Sequence, residues 1–98
     1  MGAPDTQRYL ELTESYSNLF LDTTMALHPQ SPMKISVPTQ LLQRHASNLL
    51  YGSDYPNTPY EYANDIKSVA ELFPSLADRT AVFESNADKL LKAKAQFI

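Results

Sequence analysis

The chain has 98 residues, of which 43% are hydrophobic and none is cysteine. This length and composition are those of one globular domain or less, and without cysteine there are neither disulfides nor thiolate metal sites. A net charge of −3 with eight basic residues argues against a nucleic-acid surface. No apolar run approaches the ~20 residues that span a bilayer, and the N-terminus lacks a secretory-signal pattern. We therefore expect a cytoplasmic protein that binds neither nucleic acid nor membrane.

A helix is predicted at the start of the chain, over residues 5–16. Asp5 follows a proline and can cap the first backbone amides, and apolar side chains recur at helical spacing at Tyr9, Leu12 and Tyr16. The segment NLFLDTT, residues 18–24, is a short apolar run that is typical of a buried strand. We therefore expect a helix that leads directly into a strand.

The next part of the chain predicts a connection between parallel strands. Residues 26–38 contain three prolines and little periodicity, which indicates an irregular loop, and a short helix should begin near Pro38. A second apolar run, NLLYG at residues 48–52, echoes NLFLDTT. Because a loop and a helix separate the two runs, a right-handed crossover between parallel strands is favoured over a hairpin.

The C-terminal half is predicted to be entirely helical. Residues 58–61, TPYE, form a capping box for a helix that stops at Pro74. The apolar stripe of this helix consists of Tyr62, Ile66, Val69 and Phe73. Ser75 and Ser85 are predicted to start two further helices. Their buried faces would be formed by Leu76, Phe83, Leu90 and Leu91.

The order α-β-α-β-α-α-α, with apolar strands between helices, indicates an α/β protein with a parallel sheet. Two strands alone do not make a stable sheet, and both outer edges would present unpaired amides and carbonyls. We therefore expect the chain to self-associate through its sheet edges or to be part of something larger.

Asp54 is the first candidate for a functional residue. It comes after Gly52 and Ser53 at the carboxyl end of the second predicted strand, which is where ligands bind in α/β folds. A carboxylate at that position can bind a divalent metal and take a proton from metal-bound water. The alternative is that the Gly-Ser-Asp segment is a turn in which Asp54 caps its own loop, and spacing alone leaves both interpretations open.

Three segments of the chain resemble the C-terminal part of the amidohydrolase-related metal-dependent hydrolases, the branch that includes aminocarboxymuconate-semialdehyde decarboxylase. The first is NLLYGSDYPNTPYEY, residues 48–62, with its Gly-Ser-Asp-Tyr-Pro motif. The second is FESNADKLL, residues 83–91, in which Asn86 and Ala87 precede a leucine-rich turn. The third, YLELTESYSNLFLDTTMAL at residues 9–27, resembles the family's penultimate helix and strand. The resemblance therefore covers nearly the whole chain.

The resemblance implies that residues 1–98 are one C-terminal fragment of a (β/α)8 TIM barrel, with its last two parallel strands and their helices. It also implies that Asp54 is the metal-binding or proton-transferring aspartate of the last strand. The family's metal is divalent, with zinc as the expected ion, and its other ligands are histidines on earlier strands. The chain contains none of these strands, and its first residues resemble the loop after a family strand that ends in histidine. We therefore expect no bound metal and no catalysis from this chain alone.

Four further residues are candidates for the substrate pocket, namely Asp22, Thr24, His28 and Tyr55. Asp22 and Thr24 close the first strand, where an acid either lines the pocket or caps the strand end. His28 lies beyond them on the same strand-end side as Asp54, unless it is simply a loop histidine beside a proline. Tyr55 either faces a substrate or packs under its loop. His45, in the short helix, is expected to be remote from the strand ends.

The sequence thus leaves different classes of function open. The first is part of a metal-dependent hydrolase or decarboxylase that cleaves C–N, C–O or C–C bonds, with the missing N-terminal barrel part as its partner. The second is a stand-alone, non-catalytic module that self-associates through exposed sheet edges. A third is a small metal-dependent enzyme assembled from several copies, each of which contributes one Asp54.

Overall fold

A computed structural model of the protein describes residues 5–24, 26–32, 34–53 and 60–95. The strands are β1 (Leu21–Asp22) and β2 (Leu49–Leu50), and the helices are α1 (Thr6–Ser15), α2 (Thr39–Arg44), α3 (Tyr62–Glu71), α4 (Leu76–Thr80) and α5 (Asn86–Ala95). A 3-10 turn, Ala46–Asn48, comes after α2, and a π-helical segment, Ala81–Ser85, joins α4 to α5. The predicted order of helices and strands is confirmed as far as α4, whereas the last two predicted helices form one continuous helical run.

Helix α1 forms where the sequence predicts it, but it buries a different face. Tyr9 and Tyr16 are 41% and 59% exposed, whereas Leu10 is completely buried. The buried side of α1 consists of Thr6, Leu10 and Thr13. Asp5 occupies the N-cap position, and its side chain makes no capping bond to any described residue. The tyrosine spacing indicates a helix but not its orientation, because residues 6, 10 and 13 repeat with the same period.

Polar side chains join α1 to the end of α2. The Thr13 hydroxyl donates to the Leu10 carbonyl at 2.6 Å, and its oxygen lies 3.1 Å from Nδ1 of His45. Because the Thr13 hydrogen is already used, Nδ1 of His45 donates the second bond. Glu14 accepts from Arg44 at 3.1 Å, and its carboxylate lies 3.6 Å from Nε2 of His45. His45 is therefore buried between helices, before β2 begins.

Strands β1 and β2 are parallel neighbours, as predicted. Leu21 lies opposite Leu49, and the Thr23 amide continues the ladder by donating to the Leu50 carbonyl at 2.8 Å. The connection is the predicted irregular loop and then α2, with Pro38 in the N-cap position before the helix. A crossover rather than a hairpin thus joins the strands, which is what parallel pairing requires.

Helices α3 and α4 begin and end close to the predicted points. The N-cap of α3 is Glu61, not Thr58 as the capping box predicts, and Thr58 itself lies outside the described residues. Val69 and Phe73 of the predicted apolar stripe are buried. Ser75 caps α4, since its hydroxyl accepts an amide hydrogen from the residue three positions later at 3.4 Å. Capping patterns therefore predict the start of α4 correctly and the start of α3 approximately.

The predicted helix start at Ser85 is wrong. Helix α4, the π-helical segment and α5 form one continuous helical run, in which the Asn86 amide bonds to the Ala81 carbonyl five residues earlier. The Ser85 hydroxyl donates to the Thr80 carbonyl at 3.4 Å and so lies within the run. A serine near a helix can bond back to the preceding turn as well as cap a new start, and here it bonds back.

The π-helical segment also changes which side chains face the core. Leu76 and Leu91, which the sequence predicts to be buried, are 73% and 66% exposed. Val82 and Asn86 are buried in their place. Each residue of a helix turns the next side chain by about 100°, so the additional residue of a π turn moves the buried face for the residues that follow it, Leu91 included. Leu76 comes before the π-helical segment, so this turn does not account for its exposure.

The side chain of Asn86 closes the outer edge of β2. Asn86 is completely buried, and its Nδ2 donates to the carbonyls of Ala46 and Leu49, both at 2.7 Å. One residue beyond β2, the Tyr51 amide donates to the Val82 carbonyl at 3.0 Å. Successive backbone groups of a strand point to opposite sides, so these bonds occupy the side of β2 that does not face β1. The expectation of an open edge is wrong for β2.

The helices are short and enclose one hydrophobic core against the sheet. The core residues are Leu10, Leu21, Ala26, Leu27, Leu42, Ala46, Leu49, Val69, Phe73 and Val82. They come from both strands, from the loop after β1 and from helical segments that precede, connect and follow the two strands in the chain. Across the described ranges, no helix has the length and apolar character that crossing a membrane requires.

Replacing Asn86 tests the closed edge. We expect Asn86→Ala to lower the free energy of unfolding by about 2–4 kcal/mol, because two buried carbonyls lose their donor. Asn64→Ala removes the same group from an exposed position on α3 and should change stability by less than about 0.5 kcal/mol. Urea unfolding monitored by circular dichroism measures both. Equal small effects would show that the carbonyls do not depend on Asn86.

Candidate functional site

Asp54 and Tyr55 lie in residues 54–59, outside the described part of the chain. The roles predicted for them therefore stay predictions. The structure does describe residues 51–53, which lead into this segment, and residues 22–24, which are the last residue of β1 and the two residues after it. These two neighbouring strand ends define the geometry of the candidate site.

Alternation along the strands gives the sheet two different faces. Leu21 and Thr23 of the β1 segment and Leu49 of β2 are buried beneath the helices. Asp22, which points to the opposite face, is exposed. Gly52 lies on this second face as well, because it is an even number of residues after Leu50, the residue opposite Asp22. The second face therefore carries the polar groups of the strand ends.

The carboxylate of Asp22 is held in a defined orientation at the end of β1. Its Oδ1 accepts a hydrogen bond from the Thr24 amide at 2.7 Å and another from the Thr24 hydroxyl. This is an aspartate turn, so the predicted capping role of Asp22 is present. Among the described residues, no group bonds to Oδ2. Asp22 can thus cap the strand with one oxygen and offer the other to a ligand.

Gly52 lies against this carboxylate without any space for a side chain. A Cβ on Gly52 would lie 2.5 Å from Oδ1 of Asp22 and 3.2 Å from its Cγ, and it would also overlap the Thr24 hydroxyl. Behind it, the Gly52 amide points to the hydroxyl of buried Thr23 at 3.4 Å. The glycine of the Gly-Ser-Asp-Tyr-Pro motif therefore permits close approach. We call Asp22, Thr24 and Gly52 the strand-end cluster.

His28 is not part of the strand-end cluster. It is buried and stacked on Tyr60, with ring centroids 3.8 Å apart and ring planes 5° from parallel. Its Nδ1 accepts from the Gln30 amide at 3.0 Å, so the neutral ring carries its hydrogen on Nε2. The stack joins the loop after β1 to the residues just before α3. These contacts fit packing and loop positioning better than reaction with a substrate.

Two clefts adjoin the loop after β1. One has a volume of about 380 Å³ and is lined mainly by apolar residues of the loop, α2 and α3. The other, of about 360 Å³, is lined by His28 and by polar residues that include Lys67 and Glu71. Both share α3 as a wall. The polar cleft is where His28 reaches the surface.

A buried acid that the sequence analysis missed lies on the helix-facing side. Asp65 of α3 is buried, and its carboxylate accepts a hydrogen bond from the Tyr51 hydroxyl at 2.5 Å. The Tyr51 ring also packs on the Phe83 ring, with the ring centroids 4.8 Å apart. The signal for it in the sequence was an acidic residue one helical turn before Val69, on the side of the helix that is buried. This pair fixes Tyr51 directly before the Gly-Ser-Asp segment.

The described residues do not form a metal site by themselves. Within the described ranges, no group of three histidine, cysteine, aspartate or glutamate side chains could hold a metal ion. A catalytic metal needs about three protein ligands, whereas the strand-end cluster supplies one carboxylate. What the cluster can do is accept a hydrogen bond or contribute one oxygen ligand.

Comparison with known proteins identifies the family of this arrangement. Residues 1–93 match the family model described as Amidohydrolase. No curated protein and no solved structure matches the chain significantly. The family match includes both strands, the strand-end cluster and the segment with Asp54. It supports the resemblance at the level of the family and does not distinguish the decarboxylase branch.

Substitution of Gly52 tests the close approach in the strand-end cluster. We expect Gly52→Ala to lower the free energy of unfolding by about 1–3 kcal/mol, because its methyl group overlaps Asp22 and Thr24. The same substitution in an Asp22→Ala/Thr24→Ala background should cost less than about 0.5 kcal/mol, since the obstructing atoms are gone. Urea unfolding of the four proteins gives the coupling energy. Additive effects would contradict the contact.

The buried Tyr51–Asp65 bond gives a second prediction. We expect Tyr51→Phe to lower the free energy of unfolding by about 1–3 kcal/mol, because a buried carboxylate loses its donor. Tyr16→Phe removes a hydroxyl from an exposed tyrosine and should change stability by less than about 0.5 kcal/mol. Thermal and urea unfolding compare the two variants. A Tyr51→Phe protein as stable as Tyr16→Phe would show that the bond contributes nothing.

Proposed function

Because the chain belongs to the amidohydrolase family, we propose that it is the C-terminal portion of a metal-dependent hydrolase or decarboxylase. The family match over residues 1–93 carries this proposal. The family folds as a TIM barrel, and two parallel strands covered by helices are consistent with part of one. In the proposed barrel, β1 and β2 are the last two strands. The reaction is hydrolysis or non-oxidative decarboxylation.

The strand-end cluster supports this assignment through its position. Catalytic residues of TIM barrels lie at the carboxyl ends of the strands. Asp22 and Thr24 occupy that end of β1, on the face that the helices leave open. The motif with Gly52 leads from β2 into Asp54. We therefore assign Asp54 the role of metal ligand or general base, as the family resemblance implies.

The other candidates take binding roles in the proposal. The open Oδ2 of Asp22 accepts a hydrogen bond from a substrate hydroxyl or amine. The Thr24 hydroxyl gives its hydrogen to Asp22, so its oxygen can only accept from a substrate. Tyr55 lines the pocket, and His28 supports the pocket wall through its stack on Tyr60.

The metal belongs, in this proposal, to the complete barrel. In the family it polarises water or the substrate, and zinc is the expected ion. The described residues lack a set of ligands for it, so no step of the reaction is assigned to this chain alone. The isolated chain is expected to be inactive.

A second candidate function is that of a stand-alone, non-catalytic module. The closed edge of β2 favours it, because Asn86 and Val82 already occupy the backbone groups that a further strand would need. Such a module would associate with other copies or with a partner rather than complete a barrel. Here Asp22 and Gly52 would serve only to end the strands.

Metal analysis tests the proposed function. We expect the purified chain and its Asp54→Ala variant to contain no stoichiometric zinc by plasma mass spectrometry. Co-expression with a polypeptide that supplies the remaining barrel strands should give a complex that retains zinc, and Asp54→Ala should remove most of it. The variant Asp22→Asn is the control, since it keeps the shape of a residue assigned to substrate binding.

Two results would contradict the proposal. Zinc bound to the isolated chain and lost in Asp54→Ala would favour an enzyme assembled from several copies, each contributing one Asp54. A complex whose zinc content does not depend on Asp54 would remove the role assigned to that residue.

A further inference from the structure

The outer edges of the two strands differ in whether their backbone groups are bonded. On β2, the Leu49 carbonyl accepts from Asn86 and the Tyr51 amide donates to the Val82 carbonyl. Both groups lie on the side away from β1. The edge at which another strand could add to β2 is therefore already occupied by the chain's own C-terminal helical run.

Within the described part of the chain, the outer edge of β1 is open at Asp22. The Thr23 amide points to β2, so the amide and carbonyl of Asp22 point to the opposite side. Among the described residues, no group bonds to either of them. The next amide on that side, of Thr24, is already bonded to the Asp22 carboxylate. The open part of the sheet is thus short and centred on one residue.

We propose that two copies of the isolated chain form a two-fold symmetric dimer by pairing their β1 edges. Because one edge is closed and the other open, head-to-tail addition of strands cannot continue, and only like edges can meet. Two identical edges related by a two-fold axis run antiparallel. The product is a four-stranded sheet of order β2-β1-β1-β2, with a closed edge at each end. This dimer does not depend on any catalytic role of Asp54.

A matched pair of substitutions at Asp22 tests the pairing edge. Asp22→Pro removes both the carboxylate and the outward-facing amide, whereas Asp22→Ala removes the carboxylate and keeps the amide. Proline is tolerated at an edge-strand position whose amide faces outward, and circular dichroism checks that both variants are folded. Light scattering coupled to size exclusion over a concentration series measures the dissociation constant.

We expect the unmodified chain to be a dimer and Asp22→Ala to associate at least as tightly, because it removes two like charges from opposite positions on the paired strands. Asp22→Pro should dissociate about tenfold or more readily than Asp22→Ala. A chain that is monomeric at every concentration would overturn the proposal, and so would equal dissociation of Asp22→Pro and Asp22→Ala. Wild-type assemblies larger than a dimer would overturn it as well, since they require a second open edge.

Discussion

The carboxamide of Asn86 is the interaction on which the arrangement of the chain depends. It donates to the carbonyls of Ala46 and Leu49, so that α5 is joined both to the turn before β2 and to β2 itself. The neighbouring π-helical segment then brings the Val82 carbonyl to the Tyr51 amide. Apolar packing cannot do this, because hydrophobic burial is not directional and a strand edge requires particular donors and acceptors.

One face of the sheet carries contacts that stabilise the fold, and the other face carries the candidate functional groups. The helix-facing side buries Leu49 and contains the Tyr51–Asp65 bond, whereas the opposite side carries the strand-end cluster. The sequence predicts Asp22 as a strand-end acid, since strand alternation and turn chemistry are local. It does not predict that Asp65 pairs with Tyr51, because that bond joins residues of different elements. The close approach at Gly52 is likewise visible only once the strands are paired.

The closed edge of β2 also bears on the relation between this chain and a complete barrel. In a closed barrel every strand is paired on both sides. If this chain joins such a barrel, the bonds from Asn86 and Val82 must give way to those of a neighbouring strand. The isolated chain and a complete barrel would therefore bond the same outward-facing backbone groups of β2 to different partners. The exchange conserves hydrogen bonds, so packing and the entropy of association decide between them.

The sequence by itself determined the order of helices and strands as far as α4, the parallel crossover, the cap at Ser75 and the family motifs. These features arise from local backbone geometry, from side-chain periodicity and from residues adjacent in the chain. Only the tertiary structure decided which face of α1 is buried, that the helical run continues through Ser85, and that Asn86 closes the sheet. The physical reason is that an apolar period repeats on more than one face, while a buried polar group needs a partner that only the packing of distant segments supplies.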